Sequence, residues 1–394
     1  MPPEDSAPDA GSDADALETD YSFLGRALRR RNADAFVHVG DRFDDDMRYL
    51  TRFGGPDRPY AFVYCNGTAT LCAPTLFDDQ ARREFPGDDV RVANQGDAAG
   101  RRAAAVLDDA GASGTVLVPQ HVPHDAAVYL ENAGFEVAST AAVADARAVK
   151  TDAELDRIRR VQRAAARGVA RVEAVLYDAA VDGDELVWQG GPLSTERIRR
   201  QVNEVLAAHG VSDTGNTVVG AGASAADLHF TGVDAVRPGE TVLVDVSPRG
   251  PDGYYGDMTR TFAVDPDGGW ERRAYVAVEA AREAALAELE AGVAASTVHE
   301  EASAELAAYG FRVDDDAVGF THSTGHGVGV SLHEAPALSG DDELESGTVV
   351  TVEPGVYDPD EGGVRLEDLV VVTDDGYELL GEYPFGLVPR SRGD

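Results

Sequence analysis

Gly239-Glu-Thr-Val-Leu-Val-Asp245 recurs further along the chain as Gly347-Thr-Val-Val-Thr-Val-Glu353. In both copies a turn glycine leads into a β-branched run, the composition of a strand, and a carboxylate stands at the same distance from the glycine. Each copy returns through a loop into a second strand that opens on another acid, Asp257 in GDMTRTFAV and Glu367 in RLEDLVVV. Strand alternation turns Asp245 away from Val242, Val244 and Val246, and puts Asp257 on the face of Thr259 and Thr261. Two related hairpins therefore present four acids from apolar strands. Buried together and uncompensated they would be prohibitive, so they require cations. Oxygen-rich ligation with one imidazole suits Mn, Co or Zn.

Outward from the hairpins, the order of elements repeats as well. Thr151 and Glu154 form a capping box for a helix continuing to about Leu176, a second helix from Ser194 to His209 stops at Gly210, and strands are expected at 216–220, 241–247 and 258–264. The pattern then starts again. A helix is expected from Trp270 to Ala291, another is opened by Thr297 and Glu300 and closed at Gly310, and strands follow at 318–332, 348–353 and 364–373. An internal duplication explains this order, and one sheet built from both halves with helices outside would bury the strands.

Within the second half, THSTGHGVGVSLHE, residues 321–334, carries His322, His326 and His333 out of nine histidines in the chain. Gly325, Gly327 and Gly329 oppose a helix by about 1 kcal/mol each. The stretch reads as extended and glycine-kinked, with backbone passing close to a neighbour.

Upstream of Ala148–Thr151, apolar runs such as DAFVHV, YAFVYC and TVLVP alternate with helical stretches, which suggests a three-layer α/β domain over residues 20–149. The second domain would then be 150–394. Residues 1–19, rich in proline, glycine, serine and carboxylates, read as a disordered acidic tail. The N-terminal domain offers no chemistry by sequence: His121 and His124 read as loop residues, and His38, His209 and His299 as structural. If Asn66-Gly67 is a hairpin turn, Cys65 faces Thr68 and Cys72 faces Ala61, leaving two reduced thiols.

The 394 residues hold 71 acids against 34 basic residues, a formal charge of -37, and Lys150 is the only lysine. At molar salt the screening length falls to about 3 Å and such a surface becomes tolerable. The composition points to a salt-rich cytoplasm, as in extreme halophiles. Nucleic acid and anionic membranes would be repelled. There is no long apolar run, and the N-terminus is acidic, so a cytoplasmic location is expected.

Asp245, Asp257, His326, Glu353 and Glu367, in the contexts VDVSP, GDMTRT, TGHGVGVSLHE, VEPGVY and RLEDLVVV, resemble the dinuclear metallopeptidases of the methionyl aminopeptidase, aminopeptidase P and prolidase superfamily. The likeness covers about residues 150–385, and DDMRYLTRFGG resembles the creatinase-type N-terminal domain of the proline-directed members. It implies a pseudo-symmetric α+β "pita-bread" catalytic domain, two divalent metal ions, a small peptide substrate, a homodimer and cleavage of Xaa-Pro bonds by a hydroxide held between the metals. By the same resemblance Asp245 binds one ion, His326 and Glu353 the other, and Asp257 and Glu367 both. Glu353 also shuttles a proton, His333 stabilises the oxyanion, His229 stands near the scissile peptide, and His322 and Arg365 lie in or behind the substrate pocket. The Asp245–Asp257 spacing of twelve is one longer than the family's eleven, a difference the loop PRGPDGYYG can absorb. A creatinase-like hydrolase of a small non-peptide substrate, or a non-catalytic peptide-binding relative, would also have this fold; the filled ligand positions argue against both.

Overall fold

The computed structural model describes residues 17–93, 97–313 and 318–391. Most of the stretch read as an acidic tail, residues 1–16, lies outside them; Thr19, at its end, donates a hydrogen bond to the Tyr49 carbonyl. The chain falls into two compact units, the first ending at Ala146 and the second beginning at Arg147.

The first unit is built on a six-stranded sheet in the order Asp89–Ala93, Thr68–Pro74, Tyr60–Cys65, Ala35–Gly40, Thr115–Pro119, Glu136–Thr140. The helices Ala99–Asp109 and His124–Asn132 cover one face, burying Val37, Val39 and Val63. Ser22–Arg31, Asp45–Thr51 and Asp78–Glu84 cover the other, against strands carrying Phe36 and Phe62. The three layers expected from alternating runs are present. Cys65 pairs with Thr68 and Ala61 with Cys72, and both thiols are free and buried.

In the second unit the capping box of Thr151 and Glu154 forms as expected, opening the helix Asp152–Tyr177. That helix and Thr195–Ala208 bury Val169, Val172, Val202 and Leu206 against Val242, Val244 and Val246 of a three-stranded sheet, Val218–Ala221, Thr241–Val246 and Met258–Ala263. The second half repeats this arrangement. Trp270–Ala287 and Ala295–Ala308 bury Val278, Ala281, Val298 and Leu306 against Val350, Val352, Val370 and Val372. The paired turn glycines, Gly239 at φ 84° and Gly347 at φ 91°, both occupy the left-handed region that a side chain disfavours.

Four expectations need correction. The halves are built on separate sheets, not one: the larger sheet of the second half is ordered Glu334–Ala337, His326–Gly327, Val349–Val352, Asp368–Thr373, Gly376–Leu379. They are stitched where the Glu367 N–H donates to the Thr259 carbonyl at 3.2 Å and the Thr261 hydroxyl to the Arg365 carbonyl at 2.9 Å. The strand expected at 364–373 is split, because Gly362–Arg365 pairs with Gly355–Asp358 whereas Asp368–Thr373 pairs with Val349–Val352. Of 318–332, residues 314–317 precede it outside the described residues, and only His326–Gly327 is strand. Thr297 and Glu300 do not cap their helix; it starts at Ala295, whose N–H donates to the Asp342 carbonyl, so a tertiary contact replaces the local cap.

Candidate metal centre

Register brings the acids together. In the first half Asp245 lies opposite Thr259, so the acid and the threonine's side share the face away from the valine core. In the second, Val352 pairs with Asp368, placing Glu353 and Glu367 just beyond the paired ends. One oxygen from each of Asp245, Asp257 and Glu367 lies within 4.8 Å of the others. The longer loop before Asp257 is tied at its base by mutual hydrogen bonds of Arg249 and Ser212, and the extra residue leaves the register intact.

The histidine stretch approaches from the other side. A Cβ at Gly325 would overlap the Thr351 carbonyl and one at Gly327 the Ala335 carbonyl, so the glycines are there because backbone passes against backbone. This seats His326 with Nε2 3.3 Å from Glu353 Oε1 and 3.9 Å from Asp257 Oδ2. His326 Nδ1 is 3.0 Å from the Gly327 carbonyl, which can only accept, so Nδ1 carries the hydrogen. Burial holds this imidazole below its ordinary value, hence neutral, although the Gly327 carbonyl works the other way. The Nε2 lone pair therefore faces carboxylate oxygens, an arrangement of acceptor against acceptor that a cation resolves.

Arg365 is the only permanent cation among the described residues lining the surrounding cavity of about 430 Å³. Its Nη2 donates to Asp245 Oδ2 at 2.7 Å, while Asp245 Oδ1 is buried without a hydrogen-bond partner. Four carboxylates against one guanidinium leave three negative charges if all ionise. Burial, followed by repulsion from its neighbours, accordingly pushes Asp257 well above the ordinary carboxyl range; the same causes raise Glu367, and burial raises Glu353 to about 7. An orphaned oxygen, an inward imidazole lone pair and uncompensated acids are what a site for divalent ions looks like without its ions.

All nine residues singled out by sequence line this cavity: Asp245, Asp257, His326, Glu353, Glu367, His333, His229, His322 and Arg365. The His333 ring lies 4.2 Å, centroid to centroid, from that of His326. His322 Nδ1 donates to the Ser323 carbonyl and Nε2 accepts from Tyr357, whose hydroxyl also receives Arg365 Nη1 at 3.0 Å. Burial and the nearby Arg365 charge depress His322 to about 3. His229 is exposed, at the mouth.

Sequence reasoning missed the residues that hold these groups. Gln162, from the long helix, clamps the backbone of Asp257 by two hydrogen bonds, at 2.6 and 2.7 Å. Thr259 donates to Glu367 Oε2 at 2.8 Å, and Thr351 links the His326 N–H to Glu353 Oε1. Tyr357 joins His322 to Arg365. The one available signal was Gln162, a polar residue on the inward side of an amphipathic helix.

Comparison with known proteins finds named dipeptidases. The chain is 32% identical over 245 residues to the "Probable dipeptidase PepE" of Mycobacterium tuberculosis, covering 61% of this chain and 60% of that protein. It is 34% identical over 168 residues to the "Xaa-Pro dipeptidase" of Pyrococcus furiosus, or 42% of this chain and 47% of the relative. The matches thus span less than two thirds of these relatives' length. The fold is that of an Xaa-Pro dipeptidase from Bacillus anthracis, with a TM-score of 0.81 at 23% identity over 93% of this chain and 98% of the other. It is likewise that of dipeptidase PepE from Mycobacterium ulcerans, with a TM-score of 0.75 at 27% identity over 95% and 100%. These likenesses bear out the pita-bread expectation. The sequence pattern of metallopeptidase family M24 runs from residue 156, in the long capped helix, to residue 374, past the strand after Glu367, and to that family this chain belongs.

Proposed function

We propose that this chain is a dinuclear metal-dependent exopeptidase that hydrolyses Xaa-Pro bonds. The observation that carries the reading is His326 Nε2, its partner nitrogen committed to Gly327, turned to Glu353 and Asp257 beside the three clustered carboxylates. Asp245 would hold one ion, His326 and Glu353 the other, and Asp257 and Glu367 both. Two divalent ions, of Mn, Co or Zn type, would supply the Lewis acidity that activates water and polarises the scissile carbonyl.

The protein's own groups do the rest. Glu353 moves the proton from the attacking water toward the leaving nitrogen, fixed for this by Thr351. In this reading His333 stabilises the oxyanion and His229 stands near the scissile peptide. Burial and the Arg365 charge keep His322 neutral and Tyr357 orients its Nε2, so it binds substrate by hydrogen bonding instead of by charge. Val218, Leu228, Leu332 and Ala337 give the cavity an apolar side that suits a proline ring.

By the same reading residues 20–149 form a creatinase-like domain, the enzyme is a homodimer, and it works in a salt-rich cytoplasm. No helix among the described residues is long and apolar enough to cross a membrane. The deciding experiment compares Ala-Pro, Ala-Pro-Ala and Ala-Ala with the Mn-loaded protein at molar salt. Cleavage of the proline peptides with much slower hydrolysis of Ala-Ala is expected, and the ratio of dipeptide to tripeptide separates dipeptidase from aminopeptidase. Equal or faster hydrolysis of Ala-Ala, or none of any peptide, would overturn the reading.

A further inference from the structure

The N-terminal unit contains a second set of converging ligand atoms, and the sheet topology explains how it arises. Strands Ala35–Gly40 and Thr115–Pro119 are parallel neighbours, yet the chain leaves them on opposite faces. The first leads to the helix Asp45–Thr51 on one side, the second to His124–Asn132 on the side of Val37 and Val39. Parallel neighbours whose connections diverge open a crevice beyond their carboxyl ends, the usual ligand position in an open α/β sheet. His38, in the first strand, alternates with Val37 and Val39 and so faces the helix Asp45–Thr51. His121 follows the end of the second strand, and the two rings meet edge to face with centroids 5.1 Å apart.

Both imidazoles aim Nε2 at Asp44, and that of His121 also approaches Asp46. His38 Nε2 lies 2.9 and 3.0 Å from the two Asp44 oxygens. His121 Nε2 lies 3.7 Å from Asp44 Oδ2 and 3.6 Å from Asp46 Oδ2. One atom from each of His38, Asp44 and His121 falls within 4.8 Å of the others. Around a tetrahedral ion with bonds of about 2.0–2.2 Å, ligand atoms stand roughly 3.3–3.6 Å apart, so the His121 distances are already close to ligation. His38 and Asp46 are buried while the His121 side chain is 57% exposed, giving an ion a protein floor and a way in from solvent. A structural role accounts for part of this: Asp44 caps its helix by accepting the Met47 N–H at 2.8 Å. Capping does not explain why an exposed histidine from another strand turns to both Asp44 and Asp46.

We propose that His38, Asp44, His121 and Asp46 form a binding site for one divalent transition-metal ion of the Zn²⁺ or Co²⁺ type. Two imidazoles and two carboxylates favour such ions over Mg²⁺ or Ca²⁺. With Nε2 ligating, His38 Nδ1 carries a hydrogen, and in the structure that buried atom has no partner. The site therefore binds about 10–100-fold more weakly than one whose imidazoles are backed by acceptors.

The test uses the full chain, stripped with chelator and equilibrated with Zn²⁺ in molar KCl and excess Mg²⁺, which compete with the diffuse surface acids. Ions per chain are counted for the parent and for His121→Ala, whose exposed position leaves the fold undisturbed; His121→Gln serves if near-UV circular dichroism shows otherwise. The parent should hold one more Zn²⁺ per chain than either variant, and the Co²⁺ absorption spectrum should lose one ion's contribution on substitution. Equal ion counts, or a Co²⁺ spectrum that His121 substitution does not change, would overturn the site. Peptidase activity does not enter either readout, so failure here is separate from failure of the proposed function.

Discussion

Glu353 is the residue on which the proposed chemistry turns, and its surroundings allow a clean substitution. Glu353→Gln keeps the shape and the Thr351 contact but cannot carry a proton. Turnover should fall about 10² to 10⁴-fold with near-UV circular dichroism unchanged, and near-normal turnover would remove Glu353 from the mechanism. Glu334, next to His333, is a second informative position. Burial acts to raise its carboxyl, but Lys150 and Arg147 outweigh burial and hold it below the ordinary 4.5. Lys150 Nζ lies 3.1 Å from Glu334 Oε2 and Arg147 Nη2 2.6 Å from Oε1, with the Lys150 and Glu334 side chains only 2% and 4% exposed. A depressed carboxyl contributes stability that is complete above its unfolded value and is lost as pH falls through the folded one. Unfolding free energy should thus decline below about pH 4.5, and Glu334→Gln, already destabilised at neutral pH, should show a flatter acid limb. Lys150→Met, which removes one of the two cations on the buried carboxylate and leaves Arg147 on Oε1, should cost about 1.5–3 kcal/mol by chemical denaturation. No acid-limb difference between parent and Glu334→Gln would refute the argument.

At the level of elements, the site depends on close backbone crossings as much as on ligands. Gly325→Ala would drive a methyl into the Thr351 carbonyl and push His326 from Glu353 without altering any ligand. Loss of bound metal and of turnover, in a chain that retains both helical halves by circular dichroism, is expected; a fully metallated, active Gly325→Ala would show the crossing to be slack. This dependence also marks where the sequence was legible. The Gly239–Asp245 and Gly347–Glu353 repeat was readable because turn glycine, β-branched run and acid are local signals, and Thr151 with Glu154 was readable for the same reason. Thr297 and Glu300 carried an identical local signal and failed, since the Asp342 carbonyl captured the helix start from across the chain. The break at Leu366–Glu367 was hidden because Arg365 and Asp368 pair with different strands, and a change of pairing partner leaves no trace in the local sequence. Tyr357 was invisible as a site residue because it acts through His322, 35 positions away in sequence, and Gln162 showed only as a polar residue on an apolar helix face, with nothing local to mark Asp257 as its partner.

Over the whole molecule the dominant fact is charge. With 71 acids and 34 basic residues, 37 acids have no basic counterpart. The cations that are buried are committed internally: Arg260 and Arg282 both bind Asp368, and Arg365 binds Asp245. Exposed pairs such as Arg82 with Asp78 or Arg91 with Asp109 contribute at most about 1 kcal/mol each, too little to offset repulsion summed over the surface. That repulsion acts over about 30 Å at 0.01 M salt and about 3 Å at 1 M. The folded chain should therefore keep its near-UV circular dichroism and activity at molar KCl or NaCl and lose both on dialysis to low salt, with the two salts equivalent at equal ionic strength. Sucrose strengthens burial by exclusion from the surface but screens nothing, so it should restore the fold at low salt less effectively than either salt. Full structure and activity at low ionic strength would show that the acids are spaced widely enough to need no screening, and the inference of a salt-rich cytoplasm would go with it.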